Sequence, residues 1–568
     1  MNKENSQLIG QLLVSADLIN QEQLESGLRH QKKNGGFICT ALVKLGFAPE
    51  IEVFNLLSRQ LNIPYIRLKE KRIDPEVVKK VPAKFAIHYK IIPLEFKDKT
   101  LKIAISDPLD IHTLDDIKLL LGVEIEAVLA TETEILSLIR KCYGVGADTL
   151  ESIVAKESST KKLEVSGSKV EKIEEMAEDA SIIKFVNQII REAIKDRATD
   201  IHLEPFQKEL RTRYRIDGVL YDINIPETIR YFHSAIVSRV KIMANLDIAE
   251  HRLPQDGRIK INVNSNELDL RVSVLPTAFG EAVHIRILSP QFFLELRKLG
   301  LLPEDLEIIA EVIKKPHGII FVSGPTGSGK STTLYACLEK INSSGIKIIT
   351  IEDPIEYQLR GINQVQVIPA IGFSFAGALR HMLRHDPDVM MVGEVRDFET
   401  AEIAIRSALT GHLVFSTLHT NDAAGSVTRL LEMGIEPFLV SSSLVCLVAQ
   451  RLVRLICPKC KKPDKSRKDI ISQIRGSLDF DTKQAQISEG EGCQECRFTG
   501  FKGRTGIYEI LRISQPIREL VLKGTSSQQI KQQAVSEGMR TLRHDGLRKV
   551  ISGLTTYTEV MRVTQEDE

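Results

Sequence analysis

The chain reads as a multidomain α/β protein on three observations. At 568 residues it exceeds what one hydrophobic core accommodates and implies about three or four domains. Its second half alternates short apolar runs with helix-compatible stretches, the pattern of a largely parallel, doubly wound sheet. One of those runs, Ile319–Val322, enters a glycine-rich loop that opens a helix.

Residues 1–61 carry an internal repeat. Leu8–Gln31 and Phe37–Gln60 superpose with most apolar positions matching, which predicts a duplicated helical module. Residues 62–145 alternate β-like runs (Ile91–Leu94, Thr100–Ile105) with helical ones (Asp115–Leu121, Glu132–Cys142), as a small α/β domain would. Residues 146–178 turn to Ser, Lys and Glu with few large apolar side chains, the composition of a solvated linker. Strand signals return in residues 179–295 at Leu210–Ile216, Ile259–Val263, Leu268–Val274 and Ala282–Ile287. Residues 296–568 open with a charged helical stretch, Leu296–Lys315. They continue with the apolar strands Ile319–Val322, Lys347–Ile351, Val389–Val392 and Leu413–Thr417.

A formal net charge of +1 gives no global attraction to nucleic acid or anionic membrane. The absence of Trp, with 5% aromatic residues, leaves little for stacking on bases, so no nucleic-acid partner is expected. The polar opening MNKENSQLIG has no signal-peptide core, and the most apolar segment, Leu439–Cys457, is broken by serines, Gln450, Arg451 and Arg454. A cytoplasmic protein is expected, and its eight cysteines are expected to be thiols or metal ligands.

In GPTGSGKSTT the residues Gly324, Pro325, Thr326, Gly327, Ser328, Gly329, Lys330, Ser331 and Thr332 have the spacing of a P-loop. Its glycines let backbone N–H groups close around phosphates, and the helix behind adds its positive end. Lys330 would reach the β- and γ-phosphates, and Ser331 would hold Mg²⁺. Ligands of open α/β sheets sit at the carboxyl ends of strands. There the next strand runs into Glu352, Asp353 and Glu356, and Val389–Val392 runs into Glu394. An acid at this edge can order Mg²⁺ or polarise the attacking water, although it can equally cap the following turn. Glu394 and Glu356 compete as general base. His412 and His419 bracket a short strand, and either could donate a hydrogen bond to a phosphate.

In LRTRYRID the period of two puts Arg211, Arg213 and Arg215 on one strand face, either solvated or turned toward a nucleotide across a boundary as arginine fingers. Arg258 and Arg271 are further candidates. Cys457, Cys460, Cys493 and Cys496 form two CxxC pairs, a set suited to tetrahedral Zn²⁺ with no open position. Cys39, Cys142, Cys337 and Cys446 lack partners and are expected in the core. The basic cluster Arg451, Arg454, Lys459, Lys461, Lys462, Lys465, Arg467 and Lys468 is expected to be solvated surface, with an acidic partner or lipid head groups as the alternative.

Assembled in order, GPTGSGKSTT, TIEDPIEY, RHDPDVMMVGEVRD, TGHLVFSTLHTND, AQRLVR and the CxxC pairs resemble the assembly-type secretion ATPases, which comprise type IV pilus extension motors and their type II secretion counterparts. RATDIHLEP and RTRYRIDG resemble that family's second N-terminal domain. The resemblance covers nearly the whole chain. It implies a PAS-like second N-terminal domain and a RecA-like ATPase domain with a zinc-knuckle insertion at 457–496. It further implies ATP, Mg²⁺ and Zn²⁺ as cofactors, Glu352 among the cofactor-binding residues, and a homohexamer whose arginines approach nucleotide. The expected partners are an inner-membrane platform protein, a cytoplasmic alignment-complex protein and, indirectly, pilins, which would place the chain peripherally at the inner membrane.

Retraction motors generally lack the zinc insertion and long N-terminal region, so assembly is favoured. A nucleic-acid motor of the DNA-uptake or conjugation type and a non-hydrolysing scaffold are the competing classes. The N-terminal repeat resembles tandem motifs that bind cyclic di-GMP in some assembly ATPases. Its copies open Leu8-Ile9-Gly10 and Phe37-Ile38-Cys39 where the motif has Arg-Leu-Gly, and Asp17 stands at a usual glycine. The charged contacts are missing, so weak or absent binding is expected, with the module docking a cytoplasmic partner instead.

Overall fold

The computed structural model describes residues 3–34, 37–68, 71, 73–108, 114, 117–118, 121–144, 180–263, 266–288, 295–476, 478 and 480–564. The linker expected at 146–178 lies outside the described residues. The chain forms two compact units, Met1–Leu288 and Ser289–Glu568.

In the first unit the repeat is a pair of helix pairs, Lys3–Ser15 with Gln21–Asn34 and Ile38–Lys44 with Glu50–Leu61. Equivalent residues of the two copies do the same work. Leu13 and Leu42 are fully buried, as are Leu24 and Val53, and all four join one core. The turns inside each pair are equivalent as well, with Asp17 at φ 56° and Gly46 at φ 75°. Helices Gln21–Asn34 and Ile38–Lys44 approach so closely that a Cβ on Gly27 would lie 2.5 Å from Leu42. A three-stranded sheet follows, in the order Ile92–Lys97, Thr100–Ile105, Glu124–Leu129, with the helix Glu132–Tyr143 capped by the Thr131 hydroxyl.

The rest of the first unit is a six-stranded antiparallel sheet. Its order is Val219–Ile223, Leu210–Ile216, Ala198–Pro205, Gly280–Leu288, Asn266–Thr277, Gln255–Val263. Helices Ala180–Lys195 and His233–Met243 bury one face against Ile201, Leu203, Tyr214, Leu270, Val272, Val283 and Ile285. Period-two alternation sends the intervening residues to the other face. Strand Ala198–Pro205 was not legible in the sequence because its outward residues, Asp200, His202 and Glu204, interrupt the apolar signal.

The second unit is built on a seven-stranded sheet ordered Asn363–Gln366, Ile348–Glu352, Val389–Val392, Leu413–Leu418, Gly318–Ser323, Leu444–Ile456, Phe501–Arg512. Neighbours are parallel except the last pair. Strands covered by helices on both faces read as unbroken apolar runs, which is why Gly318–Ser323, Ile348–Glu352, Val389–Val392 and Leu413–Leu418 are buried along their whole length. The apolar segment Leu439–Cys457 resolves into the helix Pro437–Ser443 and the strand Leu444–Ile456. Among the described residues no helix is long and apolar enough to cross a membrane.

Of the two equivalent turns, the one at Asp17 holds a residue with a Cβ in a left-handed conformation that glycine adopts freely. Asp17→Gly is expected to stabilise the first helix pair by about 0.5–1 kcal/mol, read as slower amide exchange in residues 9–32; unchanged or faster exchange contradicts this.

Candidate functional site

A parallel sheet aims every carboxyl end at one edge, and on this edge the chain places most of the expected residues. The loop after Gly318–Ser323 turns through Gly324, Gly327 and Gly329 at φ 144°, 80° and 88°, and Lys330 begins the helix Lys330–Ile341. Two of these glycines are also demanded by close approach. A Cβ on Gly324 would lie 2.5 Å from the Gln450 carbonyl oxygen, and one on Gly329 would lie 2.8 Å from Gln450 Nε2. Gln450, on the neighbouring strand and 2% exposed, accepts from the Thr333 hydroxyl at 2.7 Å and so braces the first turn of the helix. Lys330 Nζ donates to the Gly324 and Pro325 carbonyls at 2.7 and 3.2 Å. Burial lowers its pKa, with Glu394 acting in the opposite direction. Pro325, Thr326, Gly327 and Ser331 are exposed, whereas Ser328 is buried.

The two edge glutamates on the adjacent strands differ. Glu352 is 4% exposed, and both its oxygens are used inside the fold. It accepts from the Tyr335 hydroxyl, from Thr350 Oγ1 at 2.6 Å and from Gln364 Nε2 at 3.0 Å. Glu394 follows Gly393 at the end of Val389–Val392, where its carboxylate pairs with Arg396 and lies 3.4 Å from His419 Nε2. Glu356 sits further along the loop after Glu352, its backbone N–H donating to the Tyr335 hydroxyl at 3.3 Å.

The two histidines separate. His419 follows the strand Leu413–Leu418 at the phosphate edge, but His412 precedes it, and its backbone carbonyl accepts from Gly318 N at the start of the P-loop strand. Six strand residues put His412 roughly 20 Å from the loop within this chain, so of the two histidines His419 is the one placed at the phosphate edge. Its Nδ1 lies 3.0 Å from the Ser407 carbonyl.

The candidate arginines all belong to the first unit and share the open face of its antiparallel sheet. The register sets Arg213, His202 and His284 abreast, and two residues along it sets Arg215, Asp200, Arg286, Arg271 and Arg258 abreast. Arg213 forms a bidentate pair with Glu204 at 2.7 and 2.9 Å, and Arg211 pairs with Asp222 at 2.9 Å. Asp200 gathers His284, Arg286 and Thr199; burial opposes its ionisation, and these hydrogen bonds hold its pKa far below the usual range. Arg258 is exposed, with no acidic partner among the described residues. Asp200, His202, His284 and Arg286 escaped the sequence reading because only pairing across strands brings them to this face.

The four knuckle cysteines converge beside the small hairpin Lys461–Pro463 and Ser488–Gly490. Their sulfurs lie within 4.8 Å of one another, with Cys457–Cys493, Cys460–Cys496 and Cys493–Cys496 at 3.8, 3.7 and 3.8 Å. A tetrahedron with metal–sulfur bonds of about 2.3 Å has edges of about 3.8 Å, so the set fits a closed four-thiolate site. Backbone N–H groups of Gly492 and Cys493 donate to Cys460 and Cys496 sulfurs at 3.3 and 3.1 Å. Cys39, Cys337 and Cys446 are buried as expected, while Cys142 is partly exposed.

Two arginines of the basic cluster turn out not to be solvated surface. Arg451 donates to the Asn421 carbonyl at 2.9 Å, and Arg454 pairs at 2.8 Å with the buried Glu559. Burial alone would raise Glu559, but Arg562 and Arg454 bring it to about 2. Both arginines belong to the strand Leu444–Ile456, so the tertiary fold draws them inward.

Residues 175–562 match the family model described as "Type II/IV secretion system protein", and residues 61–149 match the MshEN domain. The chain is 46% identical over 564 residues to the type IV pilus assembly ATPase PilB of Myxococcus xanthus, covering 98% of this chain and 99% of that protein. It is 40% identical over 566 residues to the type II secretion system protein E of Xanthomonas campestris, covering 98% and 96%. The X-ray structure of the Yersinia pseudotuberculosis ATPase DotB superposes with a TM-score of 0.51 at 21% identity, covering 67% of this chain and 93% of that one, and thus shares the fold. The chain belongs to the type II/IV secretion system protein family and is an ATPase of that family.

Proposed function

We propose that this ATPase powers type IV pilus assembly, with a type II secretion machine as the second reading. The observation that carries the hydrolytic part is the convergence of the P-loop, Glu394 and His419 on one sheet edge. Full-length identity of 46% to a pilus assembly ATPase, against 40% to a type II protein, supports the first reading over the second. The motor works as a homohexamer on an inner-membrane platform protein, peripheral to that membrane, with a cytoplasmic alignment-complex protein as a further partner.

The chain divides for this work into the helical module 1–61, the small domain 62–145, the linker 146–178, the second N-terminal domain 179–295 and the ATPase domain 296–568. Lys330 and the loop N–H groups, with Thr332 at the start of the helix, hold and orient the ATP phosphates. Ser331 and Glu394 hold Mg²⁺, which supplies neutralisation of the charge developing on the phosphates. Glu394 orders and polarises the attacking water, and His419 beside it responds to the γ-phosphate; Glu356 is the competing base. Glu352 acts through Tyr335 and Thr350 to fix the shape of this edge. Of the sheet-face arginines, Arg258 has no acid partner among the described residues and so is the freest to reach a neighbouring nucleotide, ahead of Arg213, Arg215 and Arg271. Cys457, Cys460, Cys493 and Cys496 hold a structural Zn²⁺.

Lys330→Ala should abolish phosphate release without unfolding the protein, because it removes charge and no core volume; turnover at the unmodified rate contradicts the assignment. Glu394→Gln should bind ATP and fail to hydrolyse it, whereas normal turnover in that variant together with loss in Glu356→Gln transfers the base to Glu356. Elemental analysis of protein purified without chelator should find about one zinc per chain, and Cys457→Ser should lose it while retaining nucleotide binding; far less zinc in the unmodified chain ends the metal assignment. Titration calorimetry of the whole chain with cyclic di-GMP should show weak or no binding, and sub-micromolar affinity would mean that other residues replace the missing arginines.

A further inference from the structure

We infer that Glu509 is a positioning residue for ATP hydrolysis, anchoring the segment that carries His419 to the C-terminal helices. This inference rests on the ATPase reading and adds to it a residue outside every recognised motif. Glu509 lies on the strand Phe501–Arg512 and is 1% exposed. One carboxylate oxygen accepts from Ala423 N at 2.8 Å, and the other from Leu542 N at 3.4 Å. Ala423 opens the helix Ala424–Glu432 and follows His419 by four residues; Leu542 opens the helix Leu542–Ile551. A single buried carboxylate therefore joins two helix N-termini, where its charge is favoured by the N–H dipoles.

The same segment is tied to the P-loop from its other side. Arg451 donates to the Asn421 carbonyl and to the Gln450 carbonyl, and Gln450 walls Gly324 and Gly329. Between these two attachments lies a cavity of about 270 Å³ that Pro325 of the P-loop and Glu509 both line. Glu509 thus shares a space with the nucleotide loop and fixes the strand exit that sets His419 beside Glu394.

Among the described residues, four further charged groups face this cavity. Asp422 comes from the segment itself, Arg451 from the strand Leu444–Ile456, Lys531 from the helix Ser527–Ser536 and Arg543 from the helix Leu542–Ile551. Burial, opposed by the Ala423 N–H, raises Glu509; Asp422 adds to the rise while Lys531 and the Leu542 N–H lower it, and together these bring it to about 7. Protonation converts one of the two acceptors into a donor, so one helix N-terminus loses its anchor as pH falls through this value. Turnover, not ATP binding, should then decline.

The experiment is steady-state phosphate release by the full-length chain from pH 6 to 8.5, with kcat and KM for ATP separated. The unmodified chain should lose kcat on the acid side with a midpoint near that of Glu509. Glu509→Gln keeps the shape without the charge. It should show kcat about tenfold lower at pH 8, KM within about twofold, and no remaining acid limb. Lys531→Met removes the cation that favours the ionised carboxylate and should move the midpoint upward, which decides the matter if Glu509→Gln does not fold. An unchanged acid limb in Glu509→Gln, unreduced kcat at pH 8, or an unmoved midpoint in Lys531→Met overturns the inference. Lys330→Ala fails at every pH, so loss of the ATPase reading is distinguishable from loss of this one.

Discussion

The second unit depends on the pressure of one buried polar side chain against a glycine loop. A P-loop needs backbone conformations that are left-handed at several positions, and such a loop keeps one shape only when neighbouring structure over-determines it. Gln450 supplies that constraint. It stands in the middle of an apolar strand, its amide is spent on Thr333, and its backbone and side chain press on Gly324 and Gly329. The cost of burying an amide is offset by its hydrogen bond, and the result is a phosphate loop held from below by the sheet in addition to the Lys330 bonds to its own carbonyls.

Two buried ionic clusters of this unit tie strands to helices. Asp545 and Lys549 are both sequestered 2.7 Å apart, with Asp545 also accepting from Tyr508 N and Lys549 donating to the Gly506 carbonyl. Glu559 collects Arg454 and Arg562. Each pair ties the antiparallel strands that follow the P-loop strand to the C-terminal helices. Removing one partner would strand its mate in low dielectric, so these groups specify how the C-terminal helices seat on the sheet. The knuckle cysteines lie beyond the same strands, where a small hairpin has little core of its own and a metal would supply the missing cohesion.

The first unit resolves its charges differently. Its six-stranded sheet has an apolar face covered by two helices and a polar face where cations outnumber acids along one row of the register. Arg211, Arg213 and Arg215 are mostly neutralised within that face, by Asp222, Glu204 and Asp200 respectively. Among the described residues Arg258, at the row's far end, is an exposed cation with no acidic partner.

Local pattern was enough for much of this. Unbroken apolar runs marked the parallel strands because burial on both faces leaves no alternation, and the P-loop, the strand-end acids and the CxxC pairs were legible because each needs fixed residue types at fixed spacing. The helical repeat was legible because duplicated copies bury the same positions. What the sequence could not supply was direction and partnership. His412 and His419 look equivalent on either side of a strand, yet the strand's polarity sends one to the phosphate edge and the other to the far edge. Arg451 and Arg454 read as part of a basic surface until pairing with Asn421 and Glu559 drew them inward. Glu509 is an ordinary acid in an apolar strand, and only the arrival of two helix N-termini, from residues 423 and 542, makes it an anchor. Spacing along the chain records chemistry that neighbours perform together, whereas contacts between residues far apart in sequence exist only once the sheet has set which edges and faces meet.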